Sequence, residues 1–202
     1  VIDDESNLIL RTRLRSYTDW RVPGMIIRPS RETFIQELVP LDPLYIVDRH
    51  QDLIDPALSE FNGTYRARLR PYVINETDEY VLAALPNDQF GLIFAYNYFN
   101  FRPMELITRY LTEMYKKMRP GGMVIMTIND CDRAHNVELV EQKFMCYTPG
   151  RVICQAAESA GFDIVYQHTG LGDLAWLELQ RPGQISSLRG GQTLAKIVAQ
   201  SK

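Results

Sequence analysis

The side chains best suited to chemistry stand at the ends of short apolar runs. Asp48 ends the run Leu44-Tyr45-Ile46-Val47. Arg28 and Arg31 lie just past Met25-Ile26-Ile27, in the turn Arg28-Pro29-Ser30-Arg31-Glu32-Thr33. Guanidinium groups in such a turn could hold a phosphate or carboxylate, and they could equally be a solvated turn. Asp48 could cap the helix that follows it. The run Tyr96-Asn97-Tyr98-Phe99-Asn100-Phe101 mixes aromatic rings and amides. It could stack a planar acceptor such as a base, or cover one end of a sheet as core. Asn129, Asp130 and Asp132 follow the run Met123–Ile128 and could meet a substrate or a metal, or form a solvated loop. The cysteines (Cys131, Cys146, Cys154) and histidines (His50, His135, His168) match no metal-ligand spacing, so no metal site is expected.

Two arginine sets alternate with other residues: Arg11, Arg13 and Arg15, and then Arg66, Arg68 and Arg70. On a strand, alternation would place each set on one face. Such a stripe could meet an acidic partner or RNA, but the chain carries 25 acidic residues of its own, and pairing with those is the preferred expectation.

The elements that must hold these residues follow from composition and periodicity. With 202 residues, 46% hydrophobic and 23% charged, the chain has the make-up of one globular domain. A net charge of −3 does not indicate nucleic-acid binding. No apolar stretch is long enough to cross a bilayer as a helix. The acidic start VIDDESNLIL is unlike a secretory signal. Three cysteines in no disulfide pattern fit a reducing, cytoplasmic setting. The first residue is Val1, so the chain could be processed or part of something longer.

Apolar runs alternate with helix-period segments, which predicts an α/β fold with a largely parallel sheet. Strands are predicted at Met25–Ile27, Leu44–Val47, Ala67–Ile74, Phe90–Tyr96, Met123–Ile128, Asp163–Gln167 and Ala175–Leu179, the last two as an antiparallel edge pair. Helices are predicted at Asn7–Tyr17, Arg31–Val39, Gln51–Phe61, Glu76–Leu85 and Met104–Met118. A further helical region runs from about Val137 to Gly161, broken near Thr148-Pro149-Gly150. Pro56 leaves the bounds of the third helix open.

The order of these elements resembles that of class I S-adenosylmethionine-dependent methyltransferases. The segment Phe90–Tyr96, a helix, then Lys117-Met118-Arg119-Pro120-Gly121-Gly122-Met123-Val124-Ile125-Met126 looks like that family's fourth strand and its turn into the fifth. Ala156–Asp163, with its Ala-Gly-Phe, resembles the approach to the sixth strand. The likeness covers roughly residues 24–180. It implies a Rossmann-like three-layer α/β/α sandwich with a seven-stranded, mostly parallel sheet and an antiparallel C-terminal edge strand. Residues 1–23 would be an N-terminal extension, 24–182 the methyltransferase-like domain and 183–202 a tail that could dock onto a partner. It also implies that Asp48 accepts hydrogen bonds from the cofactor's ribose, Arg49 flanks the adenine, and Asn75 lies near the adenine amino group. Tyr96, Asn97 and Tyr98 would stand beside the methyl group and the unknown acceptor. Arg28 and Ser30 would line the cofactor loop.

The family's glycine-rich loop after the first strand has no counterpart, because residues 28–33 contain no glycine. Glycines there let the backbone approach the cofactor. The arginines would occupy space that the methionine part of the cofactor fills, and Pro29 removes a backbone donor. Two functions are therefore expected: methyl transfer from S-adenosylmethionine to an unknown acceptor, or a noncatalytic binding or structural module of the same fold that has lost the cofactor site.

Overall fold

The computed structural model describes residues 3–29, 34–170 and 174–184. In chain order the elements are α1 (Asp4–Tyr17), β1 (Gly24–Ile27), a 3-10 turn (Phe34–Leu38), β2 (Leu44–Asp48), α2 (Gln51–Ser59), α3 (Gly63–Arg66) and β3 (Leu69–Val73). After these come β4 (Phe90–Ala95), a second 3-10 turn (Phe99–Phe101), α4 (Met104–Lys117), β5 (Met118–Ile128), α5 (Ala134–Gln142), α6 (Gly150–Ala160), β6 (Asp163–His168) and β7 (Ala175–Gln180).

The seven strands form one sheet in the order β3-β2-β1-β4-β5-β7-β6. β1 pairs in parallel with β2 and with β4, β2 with β3, and β4 with β5. β7 runs antiparallel to both β5 and β6. The parallel strands β1 and β4 are buried along their whole length, as expected where helices cover both faces. One apolar layer, including Ile93, Ile107, Leu111 and Val124, lies under α4 and α6. The other, including Leu10, Leu14, Ile26, Phe94 and Trp176, lies under α1 and α2. The expected Rossmann-like sandwich and its antiparallel edge pair are thus present.

Several predicted elements differ locally. No helix forms over Glu76–Leu85, which is a series of turns. Asn75 turns its amide oxygen onto the Thr77 backbone N–H, 3.1 Å away. The buried Glu113 carboxylate accepts the N–H groups of Val81 and Leu82, both at 2.7 Å. These side chains satisfy the backbone in place of helical bonds. The third predicted strand is shortened to Leu69–Val73 because Asn62 caps the one-turn α3. In α2, Pro56 lies in the second turn on the solvent face, so water can serve the carbonyl its ring leaves unbonded. Of the helix predicted at Arg31–Val39, the described part is only the turn Phe34–Leu38; residues 31–33 lie outside the described residues. Met118 begins β5 rather than ending α4.

Helix α1 packs on the layer that includes Ile26, Phe94 and Trp176. Leu10 and Leu14 are fully buried. The arginines of α1 lie on a helix, so their alternation sends them in different directions. Arg11 and Arg15, four apart, both reach Glu37, while Arg13 pairs with the fully buried Glu178. Arg68 pairs with Asp42 at 3.2 Å. Pairing with the chain's own acids therefore holds for these four.

Candidate functional site

Parallel sheets of this kind present their loops at the carboxyl ends of the strands. The ends of β1, β2 and β3 are stitched together there: Arg28 N–H donates to Val47 O at 2.7 Å and Ile74 N–H to Asp48 O at 2.9 Å. This places Arg28, Asp48 and Glu76 side by side.

Arg28 stands in the left-handed region, with φ 59°. Glycine takes that conformation freely, whereas other residues are strained by their Cβ. The turn after β1 thus has a backbone suited to glycine and carries an arginine side chain. The guanidinium lies 5.9 Å from the Phe101 ring centroid.

Asp48 is 1% exposed. Its Oδ1 accepts the His50 backbone N–H at 2.9 Å. Its Oδ2 is buried with no hydrogen-bond partner. A buried carboxylate oxygen without a donor is costly and marks a place where a donor belongs.

Beside it, Glu76 gathers most of the polar groups. Its Oε1 accepts from the Tyr98 hydroxyl at 2.6 Å and from Arg102 Nε, and its Oε2 accepts from Arg49 Nη1 at 3.0 Å. Tyr98 and Tyr110 share a hydroxyl contact of 2.8 Å, and their rings meet edge to face. The Arg102 guanidinium lies 4.3 Å from the Tyr98 ring centroid. Burial works against the charge of Glu76, but the Tyr98 hydroxyl and the two guanidinium groups hold its carboxyl below the usual range. Burial, reinforced by the bond to Glu76, pushes the Tyr98 hydroxyl up to about 12. Tyr110 is raised by the same burial. The network is therefore an ionised Glu76 held by two arginines and a neutral tyrosine pair.

Arg28, Asp48, Arg49, His50, Leu53, Tyr98 and Arg102 line one cavity of about 80 Å³. Pockets for drug-sized ligands run to about 300–1,000 Å³, so an adenosine-sized group does not fit this cavity as it stands. Of the residues singled out from sequence, Arg28, Asp48, Arg49 and Tyr98 come together here. Asn75 is exposed and occupied with its own turn, bonding Thr77 and Asp78. Tyr96 is 3% exposed and stacks within the other layer, 4.6 Å from the Phe34 ring. Asn97, at φ 49°, donates its N–H to Thr127 Oγ1 and accepts from Asn100. Ser30 lies outside the described residues. Glu76, Arg102 and Tyr110 were missed. No motif marks them, and only the chain's return along β3 and α4 brings them to Asp48.

In the Asn129–Asp132 run only Asp132 is exposed; Asn129, Asp130 and Cys131 are buried. Asp130 is 4% exposed, and its Oδ1 accepts Gly150 N–H at 2.9 Å, capping α6. A Cβ on Gly150 would come within 2.5 Å of that oxygen, so glycine is required by close approach. Among the described residues, no three His, Cys, Asp or Glu side chains gather to hold a metal ion. Among them, no helix is long and apolar enough to cross a membrane.

The strand order, with its antiparallel β7, is the fold of class I S-adenosylmethionine-dependent methyltransferases, and solved structures of that class match it. Geranyl diphosphate C-methyltransferase from Streptomyces coelicolor, in complex with Mg2+, geranyl diphosphate and S-adenosyl-L-homocysteine, superposes with a TM-score of 0.69 at 7% identity, over 88% of this chain and 81% of that one. An S-adenosylmethionine-dependent methyltransferase from Mesorhizobium loti gives 0.66 at 10% identity, over 84% and 96%. A complex between the Haloferax volcanii Trm112 methyltransferase activator and a methyltransferase gives 0.67 at 12% identity, over 85% and 88%. At these identities the likeness is one of fold. No protein-family model matches the chain, and no curated protein matches it in sequence.

Proposed function

We propose that this chain is a noncatalytic binding module built on the methyltransferase fold, whose cofactor end no longer takes S-adenosylmethionine. The observation that carries this reading is the closed cluster around Glu76. Arg49, Arg102 and Tyr98 converge on one carboxylate in the place where the family resemblance puts the adenine, and about 80 Å³ remains beside them. Arg28, at a backbone position suited to glycine, adds a side chain where the family keeps space.

Calorimetric titration with S-adenosylmethionine and S-adenosylhomocysteine tests the proposal. No heat of binding up to millimolar concentration is expected. Micromolar binding of either compound overturns it.

The second reading is methyl transfer to an unidentified acceptor, and the unpartnered Oδ2 of Asp48 favours it. An acidic residue at the end of the second strand, holding one oxygen without a donor, suits a ribose hydroxyl. In that case the ion pairs of Glu76 open when the cofactor enters, and the same titration shows binding that Asp48→Ala abolishes without unfolding the chain. The expected docking of the C-terminal tail concerns residues 183–202, of which 185–202 lie outside the described residues.

A further inference from the structure

We infer that the cavity beside Asp48 binds a phosphate monoester that carries a neighbouring hydroxyl, as in a sugar phosphate or a mononucleotide. This inference rests on the reading of the fold as a binding module closed to S-adenosylmethionine.

Three guanidinium groups line the cavity, from Arg28, Arg49 and Arg102. Glu76 is shared between Arg49 and Arg102, and Asp48 brings the second negative charge. The lining is therefore cationic overall, even with His50 neutral. Arg28 makes no ion pair among the described residues, and Arg49 is 45% exposed at the mouth, free to swing from Glu76 to a stronger anion. The nine-residue α2 begins at this cavity, and its N-cap residue His50 makes no side-chain cap bond. Its first-turn N–H groups and dipole favour an anion, although Asp52 in that turn offsets part of the effect. A dianionic phosphate with tetrahedral oxygens suits this set better than a single carboxylate.

Asp48 sets the second requirement. Its Oδ2 is buried, lacks a partner and belongs to a residue lining the same cavity. A bare phosphate would add only repulsion there, whereas a hydroxyl on the sugar ring of a phosphate ester would supply the missing donor. A cavity of about 80 Å³ is close to the size of a phosphate with one hydroxyl-bearing carbon, and the rest of the molecule would lie at the open side.

Titration of the whole chain with ribose 5-phosphate, AMP, inorganic phosphate and ribose tests the inference. Ribose 5-phosphate is expected to bind at least tenfold more tightly than inorganic phosphate, and ribose alone not at all. Arg49→Gln should weaken ribose 5-phosphate and inorganic phosphate alike, about tenfold. Asp48→Asn, which keeps the bond to the His50 N–H, should remove the preference for the ester and leave inorganic phosphate unweakened. AMP binding like ribose 5-phosphate identifies a nucleotide as the source of the ester. AMP excluded while ribose 5-phosphate binds identifies a free sugar phosphate. Equal affinity for inorganic phosphate and the ester overturns the hydroxyl assignment. Failure of every phosphate compound, with no binding of S-adenosylhomocysteine either, overturns this inference alone. Binding of S-adenosylhomocysteine overturns the reading beneath it. Circular dichroism of both variants should match the parent, since Arg49 is exposed and Asp48→Asn is isosteric.

Discussion

At the residue scale, the cluster at the ends of β1 to β3 trades stability for composition. Glu76 and the side chain of Arg102 are only 11% and 8% exposed, so each depends on the other for its charge. Glu76→Gln leaves Arg102 buried without its counterion and should cost about 3 kcal/mol in urea unfolding. A loss under about 1 kcal/mol would mean that water already screens the pair. Arg28 gives a test of opposite sign. Relief of its left-handed strain is worth about 1–2 kcal/mol, against about 0.5–1 kcal/mol for glycine's extra chain entropy. Arg28→Gly should therefore leave stability unchanged or raise it by up to about 1.5 kcal/mol, and Arg28→Val should lower it. If the glycine variant is the less stable, the arginine side chain holds the turn through contacts stronger than its distance from Phe101 indicates.

At the element scale, buried acids anchor two helices. Glu178 is fully buried on β7, where Arg13 and Tyr17 of α1 and the indole N–H of Trp176 serve it. Arg13→Ala strips away the cation paired with Glu178 and should cost about 3 kcal/mol by thermal or urea unfolding. Arg13→Ala combined with Glu178→Gln should recover part of that loss, because no buried charge is then left unpaired. On the other side of the sheet, Asp130 caps α6 through Gly150 N–H. Gly150→Ala drives a methyl group into that carboxylate and should lower stability by about 1–3 kcal/mol, with the loosening visible as faster amide exchange in α6. The apolar anchoring of α1 is as strong: Leu14→Ala should cost about 2–5 kcal/mol, since Leu14 is completely buried.

At the scale of the whole molecule, the buried acids and one histidine set the response to pH. Burial lowers the His168 titration below its ordinary 6.5; the ring stacks 3.7 Å from Trp176 and its Nε2 meets Ser6 Oγ at 3.0 Å. A depressed histidine contributes stability above 6.5 that fades as pH falls through its folded value, because the unfolded chain then binds the extra proton. Glu37 and Glu76 are held below their ordinary 4.5 by arginines and, for Glu76, by Tyr98, despite burial. Their contribution is complete above 4.5 and is lost below it. Urea midpoints measured from pH 7.5 to 3 should fall in two stages, a shallow one starting near 6.5 and a steeper one below 4.5. His168→Gln should remove the first stage only. A single stage in the parent chain would assign the stack on Trp176 no role in the pH response.

Local chemistry written into the chain determined much of this protein. The alternation of apolar runs with helix-period segments specifies a parallel sheet, because a strand covered on both faces must be apolar throughout, as Phe90–Ala95 is. That Asp48, Arg28 and Arg49 gather at one end of the sheet was legible, because the turns that follow parallel strands all lie there. The turns at Glu76–Leu85 were not legible, since their backbone partner, the Glu113 carboxylate, sits on α4 and competes with a helix only once α4 is packed. For the same reason Tyr96 joined the core through Phe34, and the alternating arginines of α1 parted toward different acids. The cluster around Glu76 belongs wholly to tertiary structure. Glu76, Tyr98 and Arg102 are far apart by local pattern, and only the folding of β3, β4 and the turn before α4 against one another makes them a single ionised network beside Asp48.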